Sequence, residues 1–189
     1  RSGGGVETKG SLRRGMKARL AAQTPRERKR RGGIIREKLF GLSAFQKASC
    51  VCFYVSMPQE VDTREMIRAA LRAGKRVLVP LSDLKNRELR LYEIRDLKRD
   101  LKRGAMGILE PRPERALRAD AEEVECAIVP GLAFDGKNYR VGHGAGFYDR
   151  FLRKLGAGVP KIGLAYSFQV LSGVPAEAHD VKLDRVLTD

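Results

Sequence analysis

Two short apolar runs that enclose an amphipathic segment constrain the fold of this chain more than any other feature. Residues 50–55 are a continuous apolar run with β-branched and aromatic side chains, a pattern typical of a strand buried on both faces, and residues 75–80, apolar from Val77 onward, are predicted to be the next strand. Between them, Met66, Ile67 and Ala70 recur at helical spacing. Two parallel strands need a long crossover, which is usually helical and right-handed. The sequence therefore predicts a βαβ unit and a parallel sheet.

The alternation of strands and helices continues along the chain. Residues 88–94 alternate polar and apolar side chains, which predicts a strand nearer a sheet edge with one face exposed. Residues 104–118 contain two glycines and two prolines and are predicted to form an extended loop. Further strands are predicted at residues 124–130, 161–166 and 185–188, and a helix at about residues 147–155.

These elements predict a single α/β domain over residues 9–189, with a three-layer α/β/α arrangement and a mainly parallel central sheet. A length of 189 residues is within the usual range of one domain. Residues 1–8 contain three consecutive glycines and are predicted to be a flexible N-terminal extension or a remnant of expression.

Positive charge is concentrated at the amino terminus. Thirteen Lys and Arg stand against three Glu in the first 40 residues, so +10 of the net charge of +15 lies there. Residues 11–40 have the spacing of two amphipathic helices, the second beginning at the capping sequence Thr24-Pro25-Arg26-Glu27. Such a basic block can contact nucleic acid, a membrane surface or a polyanionic small substrate, or remain a solvated helix face.

Several classes of protein do not fit the sequence. No apolar run approaches the ~18–20 residues that span a bilayer, so no membrane partner is expected. Cys50, Cys52 and Cys126 lie in strand-like runs without the spacing of a disulfide framework or a metal site. They are predicted to be reduced core thiols, which indicates a cytoplasmic setting, although an organelle is not excluded.

Three glycines alternate immediately before the predicted helix at residue 147. Gly142, Gly144 and Gly146 lack a Cβ, so backbone N–H groups around them can approach an anion at the positive end of the helix. The spacing is neither that of the Walker loop nor that of the dinucleotide-binding loop. Phosphate binding is the functional interpretation, and a tight turn without a ligand is the alternative.

With its flanks, this segment resembles the signature of the 5-formyltetrahydrofolate cyclo-ligases, also called 5,10-methenyltetrahydrofolate synthetases. Similar elements recur in order along nearly the whole chain, at residues 9–13, 55–63, 74–75, 163–169 and 174–180. The resemblance implies a three-layer α/β/α enzyme that uses ATP and Mg²⁺. It implies that the formyl oxygen of 5-formyltetrahydrofolate attacks the γ-phosphate, that N10 captures the resulting iminium phosphate, and that ADP and phosphate are released.

The resemblance also implies roles for individual residues. Glu60 would hold the pterin, and the catalytic group would be Glu60, Arg140 and Tyr148. ATP would be bound by Lys9, Arg13, Arg140, Gly142, His143, Gly144, Ala145, Gly146, Phe147 and Tyr148. The folate would be bound by Val55, Met57, Glu60, His143, Phe147 and Tyr148, and Mg²⁺ by Asp149 and Asp180. The substrate is expected with or without a polyglutamate tail, and the protein is expected to be a monomer.

The chain departs from the family pattern in its glycine loop. His143 and Ala145 stand where relatives often carry Arg or Lys, and Phe147 replaces a common Tyr. A catalytically weakened paralogue that acts as a nucleic-acid-binding or interaction protein is therefore the alternative. Only 12 aromatic residues, seven Phe and five Tyr, are available for base stacking, and no RNA-binding aromatic motif is present, which disfavours nucleic acid.

Overall fold

The fold is known from a computed structural model that describes residues 7–104 and 107–189. Most of the predicted N-terminal extension and two residues of the predicted 104–118 loop lie outside the described residues. The helices are α1 (Lys9–Ala22), α2 (Pro25–Gly41), α3 (Ser43–Lys47), α4 (Arg64–Arg72), α5 (Leu97–Asp100) and α6 (Phe147–Lys154).

The strands are mostly short, between two and eight residues long. They are β1 (Cys50–Cys52), β2 (Arg76–Asp83), β3 (Glu88–Ile94), β4 (Leu101–Arg103), β5 (Leu109–Pro111), β6 (Leu117–Ala119), β7 (Cys126–Val129), β8 (Ala133–Asp135), β9 (Arg140–Val141), β10 (Lys161–Leu164), β11 (Val170–Leu171) and β12 (Arg185–Leu187).

Seven of these strands form the central sheet, in the order β12-β10-β7-β1-β2-β3-β6. The five from β12 to β2 are parallel, and β3 and β6 continue the sheet antiparallel at one edge. Strand β1 lies at the centre, where Val51 is paired with both Val77 and Cys126. The mainly parallel sheet and the crossover through α4 are confirmed.

Side-chain alternation along the strands divides the core between the two faces of the sheet. Val51 and Val77 belong to the cluster that includes Leu12 of α1 and Ile35 of α2. Their neighbours Cys52 and Leu78 belong to the cluster that includes Phe151 and Leu152 of α6. Because the strands are covered on both faces, they are apolar throughout, and the predicted three-layer arrangement is confirmed.

The basic helices α1 and α2 each begin at a threonine N-cap. The Thr8 side chain accepts a hydrogen bond from the Ser11 backbone N–H, and the predicted capping box joins Thr24 and Glu27. Leu12, Met16 and Leu20 of α1 are buried, whereas most cations of both helices face outward. The amphipathic interpretation of this region is therefore confirmed.

The prediction of an extended loop over residues 104–118 is wrong in part. Strand β5 pairs with β4, and β6 pairs with β3 at the edge of the central sheet. Both strands have three residues, too few for periodicity to reveal them. Strand β1 also ends at Cys52, earlier than predicted, because the chain beyond it leaves the ladder to form the loop of residues 53–63.

Candidate functional site

The loop of residues 53–63 leaves the carboxyl end of β1 and is fixed by its own hydrogen bonds. The Tyr54 hydroxyl donates to the Val61 carbonyl at 3.2 Å, and the Thr63 hydroxyl donates to the Tyr54 carbonyl at 2.6 Å. From the end of β10, the Tyr166 hydroxyl reaches the Glu60 carbonyl at 3.2 Å. The loop is therefore held on two sides, and the position of Glu60 is fixed at the edge where parallel strands bind ligands.

The Glu60 carboxylate faces the glycine loop. Its Oε2 accepts a hydrogen bond from the Met57 backbone N–H at 2.8 Å, and its Oε1 lies 3.5 Å from His143 Nε2. The side chain of Glu60 is 12% exposed, whereas that of His143 is 41% exposed. The structure thus brings together the residue predicted to hold the pterin and a residue of the predicted phosphate loop.

Two tyrosines near Glu60 stay protonated. Burial, followed by the neighbouring charge of Glu60 among other groups, raises the pKa of Tyr54 well above its usual value of 10.0. Burial and nearby groups that include Cys52 and Glu60 do the same to the pKa of Tyr148. Both phenols can donate a hydrogen bond at neutral pH, but neither can serve as a tyrosinate base.

Arg140 is a buried cation whose hydrogen-bonding groups are only partly satisfied by the protein. Its Nη1 donates to the Pro130 carbonyl at 3.1 Å, its Nη2 lies 3.8 Å from Asp149, and its guanidinium stacks over Tyr148 at 5.4 Å. Its Nε is buried and has no hydrogen-bond partner among the described residues. Burial lowers the pKa of Arg140 from 12.5, although Asp149 opposes the shift. An orphaned donor on a buried cation fits an anionic ligand.

The glycine loop is shaped by positive φ angles and by a cation from α1. Gly144 has φ 112° and Gly146 has φ 72°, conformations that other residues rarely adopt. Arg13 Nε donates to the Gly142 carbonyl at 2.8 Å. A Cβ at Gly144 would lie 3.4 Å from Arg13 Cζ. Arg13 is therefore beside the loop, as the resemblance implies for a phosphate ligand, while Ala145 adds no charge.

Arg150 also holds this loop, and the sequence analysis did not identify it. Its Nη2 donates to the Ala145 carbonyl at 2.8 Å, and its Nε donates to the Arg87 carbonyl at 2.7 Å. Its guanidinium also lies over the Phe147 ring at 5.5 Å. The signal available in the sequence was its position four residues after Gly146, which places it one turn along α6 from the loop.

Lys9 lies in an ion pair with one of the predicted metal ligands. Its Nζ is 2.9 Å from Asp180 and 3.3 Å from Glu177. Burial opposes ionisation of both partners, yet their hydrogen bonds raise the pKa of Lys9 and lower that of Asp180. The structure therefore pairs Lys9 with Asp180, whereas Arg13, one turn further along α1, contacts the glycine loop.

The two carboxylates predicted for Mg²⁺ approach the same short segment. Asp149 Oδ1 accepts a hydrogen bond from the Val181 backbone N–H at 3.2 Å, and Asp180 precedes Val181 in the chain. Within the described residues, Glu177, His179 and Asp180 also place ligand atoms within 4.8 Å of one another, and Asp149 is not part of that group. Asp149 places a carboxylate beside the loop, and carboxylate oxygens are ligands of the kind that Mg²⁺ prefers.

The apolar and aromatic residues predicted to line the folate pocket are all partly buried. Val55 and Tyr148 are partly buried and pack against the core cluster that includes Leu12. Met57 and Phe147 are also only partly buried. All four side chains therefore leave part of their surface uncovered.

Fold and site together define an α/β enzyme in which a glycine loop, flanked by buried and half-buried arginines, faces a mostly buried carboxylate. The family model of the 5-formyltetrahydrofolate cyclo-ligase family matches residues 6–189. The chain belongs to this family and is a ligase of folate metabolism. Family membership supports the conversion of 5-formyltetrahydrofolate to 5,10-methenyltetrahydrofolate.

Individual relatives agree with this assignment. A probable 5-formyltetrahydrofolate cyclo-ligase of Schizosaccharomyces pombe is 33% identical over 78% of this chain and 78% of its own length. A 5-formyltetrahydrofolate cyclo-ligase of Arabidopsis thaliana, described as mitochondrial, is 31% identical over 94% of this chain and 72% of its own length. The solved structure of Aquifex aeolicus 5,10-methenyltetrahydrofolate synthetase is 32% identical, with a TM-score of 0.82 over 95% of this chain and 88% of that one.

Proposed function

We propose that this chain catalyses the ATP- and Mg²⁺-dependent conversion of 5-formyltetrahydrofolate to 5,10-methenyltetrahydrofolate, with release of ADP and phosphate. The observation that carries the proposal is the 3.5 Å approach of Glu60 to His143, because it joins an acidic pocket to the glycine loop. A reaction between a pterin substituent and a terminal phosphate needs the two sites to be adjacent.

In this proposal the folate lies against Glu60. The 2-amino-4-oxo ring of a pterin presents neighbouring N–H donors, which a carboxylate accepts as a bidentate pair. Val55, Met57, Phe147 and Tyr148 supply apolar surface to the bound ring. The Tyr148 phenol, kept protonated by burial, donates a hydrogen bond to the reacting region.

ATP binds at the glycine loop, where its phosphates meet the Arg140 guanidinium, Arg13 and the backbone N–H groups of residues 142–146. Lys9 contributes positive charge from the first turn of α1. The formyl oxygen attacks the γ-phosphorus and ADP departs. N10 then adds to the formyl carbon and releases its proton to solvent, and phosphate leaves with the former formyl oxygen. Phosphorylation turns a poor oxide leaving group into a good one, so positioning and charge stabilisation carry most of the catalysis.

Asp149 and Asp180 are the residues proposed to hold Mg²⁺. The ion would neutralise charge on the phosphates. Asp149 would offer a carboxylate oxygen beside the loop, and Asp180 would offer another from the position before Val181, whose N–H donates to Asp149.

The test is the appearance of the near-UV absorbance of the methenyl product from 5-formyltetrahydrofolate, with and without ATP and Mg²⁺. Glu60→Gln is expected to raise KM for the folate by about 10-fold or more, since hydrogen bonds to a charged group contribute ~1.5–3 kcal/mol. KM for ATP should change less than about 2-fold, and the exposed Glu37→Gln serves as the matched control. Folded protein that forms no product with ATP would refute the proposal and favour the weakened paralogue.

We also propose a cytoplasmic monomer that accepts folates with or without a polyglutamate tail. None of the helices among the described residues is long and apolar enough to cross a bilayer. The mitochondrial description of the Arabidopsis relative makes the compartment a question for imaging of the tagged protein. Size-exclusion chromatography with light scattering tests the monomer, and a mass of twice 21.0 kDa would contradict it.

A further inference from the structure

A short turn between β10 and β11 is hydrogen-bonded both to the loop that carries Glu60 and to the strand pair that leads into the glycine loop. The turn consists of residues 166–169 and ends in two polar side chains that are almost fully buried, with Tyr166 1% exposed and Gln169 3% exposed. Buried polar side chains usually have hydrogen-bond partners. The partners of these two residues therefore show what the turn holds.

Tyr166 connects the turn to the loop of residues 53–63. Its hydroxyl donates to the Glu60 carbonyl at 3.2 Å, while the Glu60 carboxylate accepts a hydrogen bond from the Met57 backbone N–H at 2.8 Å. Burial raises the pKa of Tyr166 to about 12, so its phenol remains a donor at neutral pH. Glu60 is thus held through its main chain by the turn and through its carboxylate by its own loop, and both contacts restrict its position.

Gln169 connects the turn to the segment that leads into the glycine loop. Its Nε2 donates to the carbonyls of Gly131 and Leu132 at 3.1 Å each, and its Oε1 accepts from the Tyr166 backbone N–H at 2.8 Å. The Leu132 N–H in turn donates at 2.8 Å to the carbonyl of Val141, the residue directly before the first loop glycine. One side-chain amide therefore joins the tyrosine that holds Glu60 to the base of the glycine loop.

Further contacts fix the turn itself. Strand β11, which follows the turn, pairs with β8, and β8 pairs with β9, the strand that precedes the glycine loop. The Ser167 backbone N–H donates to the Asp189 carboxylate at 2.8 Å, and Arg19 of α1 donates to the Phe168 carbonyl at 3.3 Å. The Phe168 ring also stacks on the Tyr166 ring, with 5.8 Å between the centroids. Because the turn is held by several elements, it can transmit a fixed position to the loop that it contacts.

We propose that residues 166–169 form a brace that holds Glu60 in its position beside the glycine loop, and that Tyr166 and Gln169 are positioning residues of the enzyme. In this role neither side chain touches a substrate. They act through the Glu60 carbonyl at one end and through the carbonyls of residues 131 and 132 at the other. The inference rests on the proposed function, because it takes Glu60 as the group that holds the folate. A reaction between two bound substrates is sensitive to small displacements of one relative to the other.

The first test is Tyr166→Phe, which removes the donor to the Glu60 carbonyl and keeps the ring. A neutral hydrogen bond contributes a factor of about 2 to 10, so KM for 5-formyltetrahydrofolate should rise about 5-fold, while KM for ATP should change less than about 2-fold. Tyr92→Phe is the matched control, because Tyr92 is a buried tyrosine of β3 whose hydroxyl donates to neither loop within residues 7–104 and 107–189. An equal rise in both KM values would indicate a general structural role and would overturn the proposal.

Gln169→Met tests the other end of the brace. Methionine has a similar length but cannot form the hydrogen bonds of the glutamine amide. If the two residues act in series, breaking either contact releases Glu60, so each single variant and the double variant should raise KM for the folate by about the same factor. Independent contributions would instead multiply to about 25-fold in the double variant, and this result would overturn the brace. Circular dichroism verifies the fold of each variant.

Hydrogen exchange of the free protein separates this inference from the proposed function. The backbone N–H groups of Met57 and Glu60 are hydrogen-bonded inside their loop, so their exchange reports opening of that loop. In Tyr166→Phe these amides should exchange about 2- to 10-fold faster, while the amides of the glycine loop should stay within about 2-fold. Unchanged exchange at Met57 and Glu60 would overturn the proposal even in an active enzyme. Faster exchange in a protein that forms no product from 5-formyltetrahydrofolate would refute the proposed function and still support the contact that positions Glu60.

Discussion

Arg140 offers a way to separate the stability of this protein from its activity. Arg140 as a whole residue is 7% exposed, and its guanidinium donates to one carbonyl, that of Pro130, and lies 3.8 Å from the Asp149 carboxylate. Its Nε is buried without a partner among the described residues. We predict that Arg140→Met leaves the free energy of unfolding nearly unchanged and strongly reduces turnover with ATP.

The magnitude follows from how poorly this cation is compensated. Removing one partner of a well-formed buried ion pair lowers the free energy of unfolding by ~3–5 kcal/mol. At Arg140, removing the guanidinium also removes the cost of burying its charge, several kcal/mol, and that of its unsatisfied Nε, about 1–3 kcal/mol, and these gains offset the loss. Methionine fills a similar volume, and Asp149 keeps its hydrogen bond from the Val181 N–H. We therefore expect the unfolding free energy to change by less than about 1 kcal/mol.

The expected loss of activity is much larger. A preorganised donor to a developing negative charge contributes a factor of about 100 to 1,000 in kcat. The assays are urea unfolding and the near-UV absorbance of the methenyl product, with Arg36→Met on the exposed face of α2 as the control. A loss of more than about 3 kcal/mol in unfolding would mean that Arg140 is a structural residue. Stable protein with near wild-type turnover would exclude it as a phosphate ligand.

The remaining predictions concern the loop, the thiols and one carboxylate. Gly146→Ala should lower the free energy of unfolding in urea by ~1–2 kcal/mol and raise KM for ATP, because φ is 72° and the new Cβ would lie 2.9 Å from Arg150 Nη1. Gly158→Ala is the control, because Gly158 has a similar φ of 82° but no atom near the new Cβ, so its effect reports the backbone strain alone. Equal effects of the two variants on KM for ATP would contradict the role of the Arg150 contact. Burial raises the pKa of Cys50 to about 11, so a thiol reagent should label the native protein only as fast as it unfolds, and rapid labelling at pH 8 would disprove this. Burial opposes ionisation of Asp100, but hydrogen bonds from a neighbouring arginine and two backbone N–H groups lower its pKa below 3.8. The ionised Asp100 therefore stabilises the folded protein above the pKa of ~3.9 that it has in the unfolded chain, and this stabilisation is lost as pH falls through the pKa of the folded state. Asp100→Asn should therefore lower the unfolding free energy at pH 7 and weaken its decline between pH 5 and pH 2, and an unchanged acid profile would refute the assignment.

Much of the fold could be predicted because its signals are local. Strands β1, β2 and β7 are apolar over both faces, and the helix between β1 and β2 has a clear stripe of buried residues. The short strands could not be predicted. Leu117 in β6 is exposed, and the strand is defined only by its pairing with β3, which the sequence does not encode locally.

The candidate site likewise has features that the sequence predicts and others that only the structure shows. The glycines of the loop stand out in the sequence, and two of them have the positive φ angles that only glycine adopts readily. The pairing of Lys9 with Asp180 joins residues 171 positions apart, so no spacing rule could predict it. Arg150 was missed for a related reason, since its partners Ala145 and Arg87 accept through backbone carbonyls that carry no side-chain signal.

Three arginines near the glycine loop supply the positive charge that His143 and Ala145 do not provide. Each glycine of the loop lies against a guanidinium from a different element: a Cβ at Gly142 would be 2.8 Å from Arg140, one at Gly144 would be 3.4 Å from Arg13, and one at Gly146 would be 2.9 Å from Arg150. The residues between the loop glycines are His143 and Ala145 instead of Arg or Lys, but three guanidinium groups lie around the loop. Because an anion responds to the charge near its oxygens regardless of which segment supplies it, these three guanidinium groups weaken the case for a degenerate paralogue.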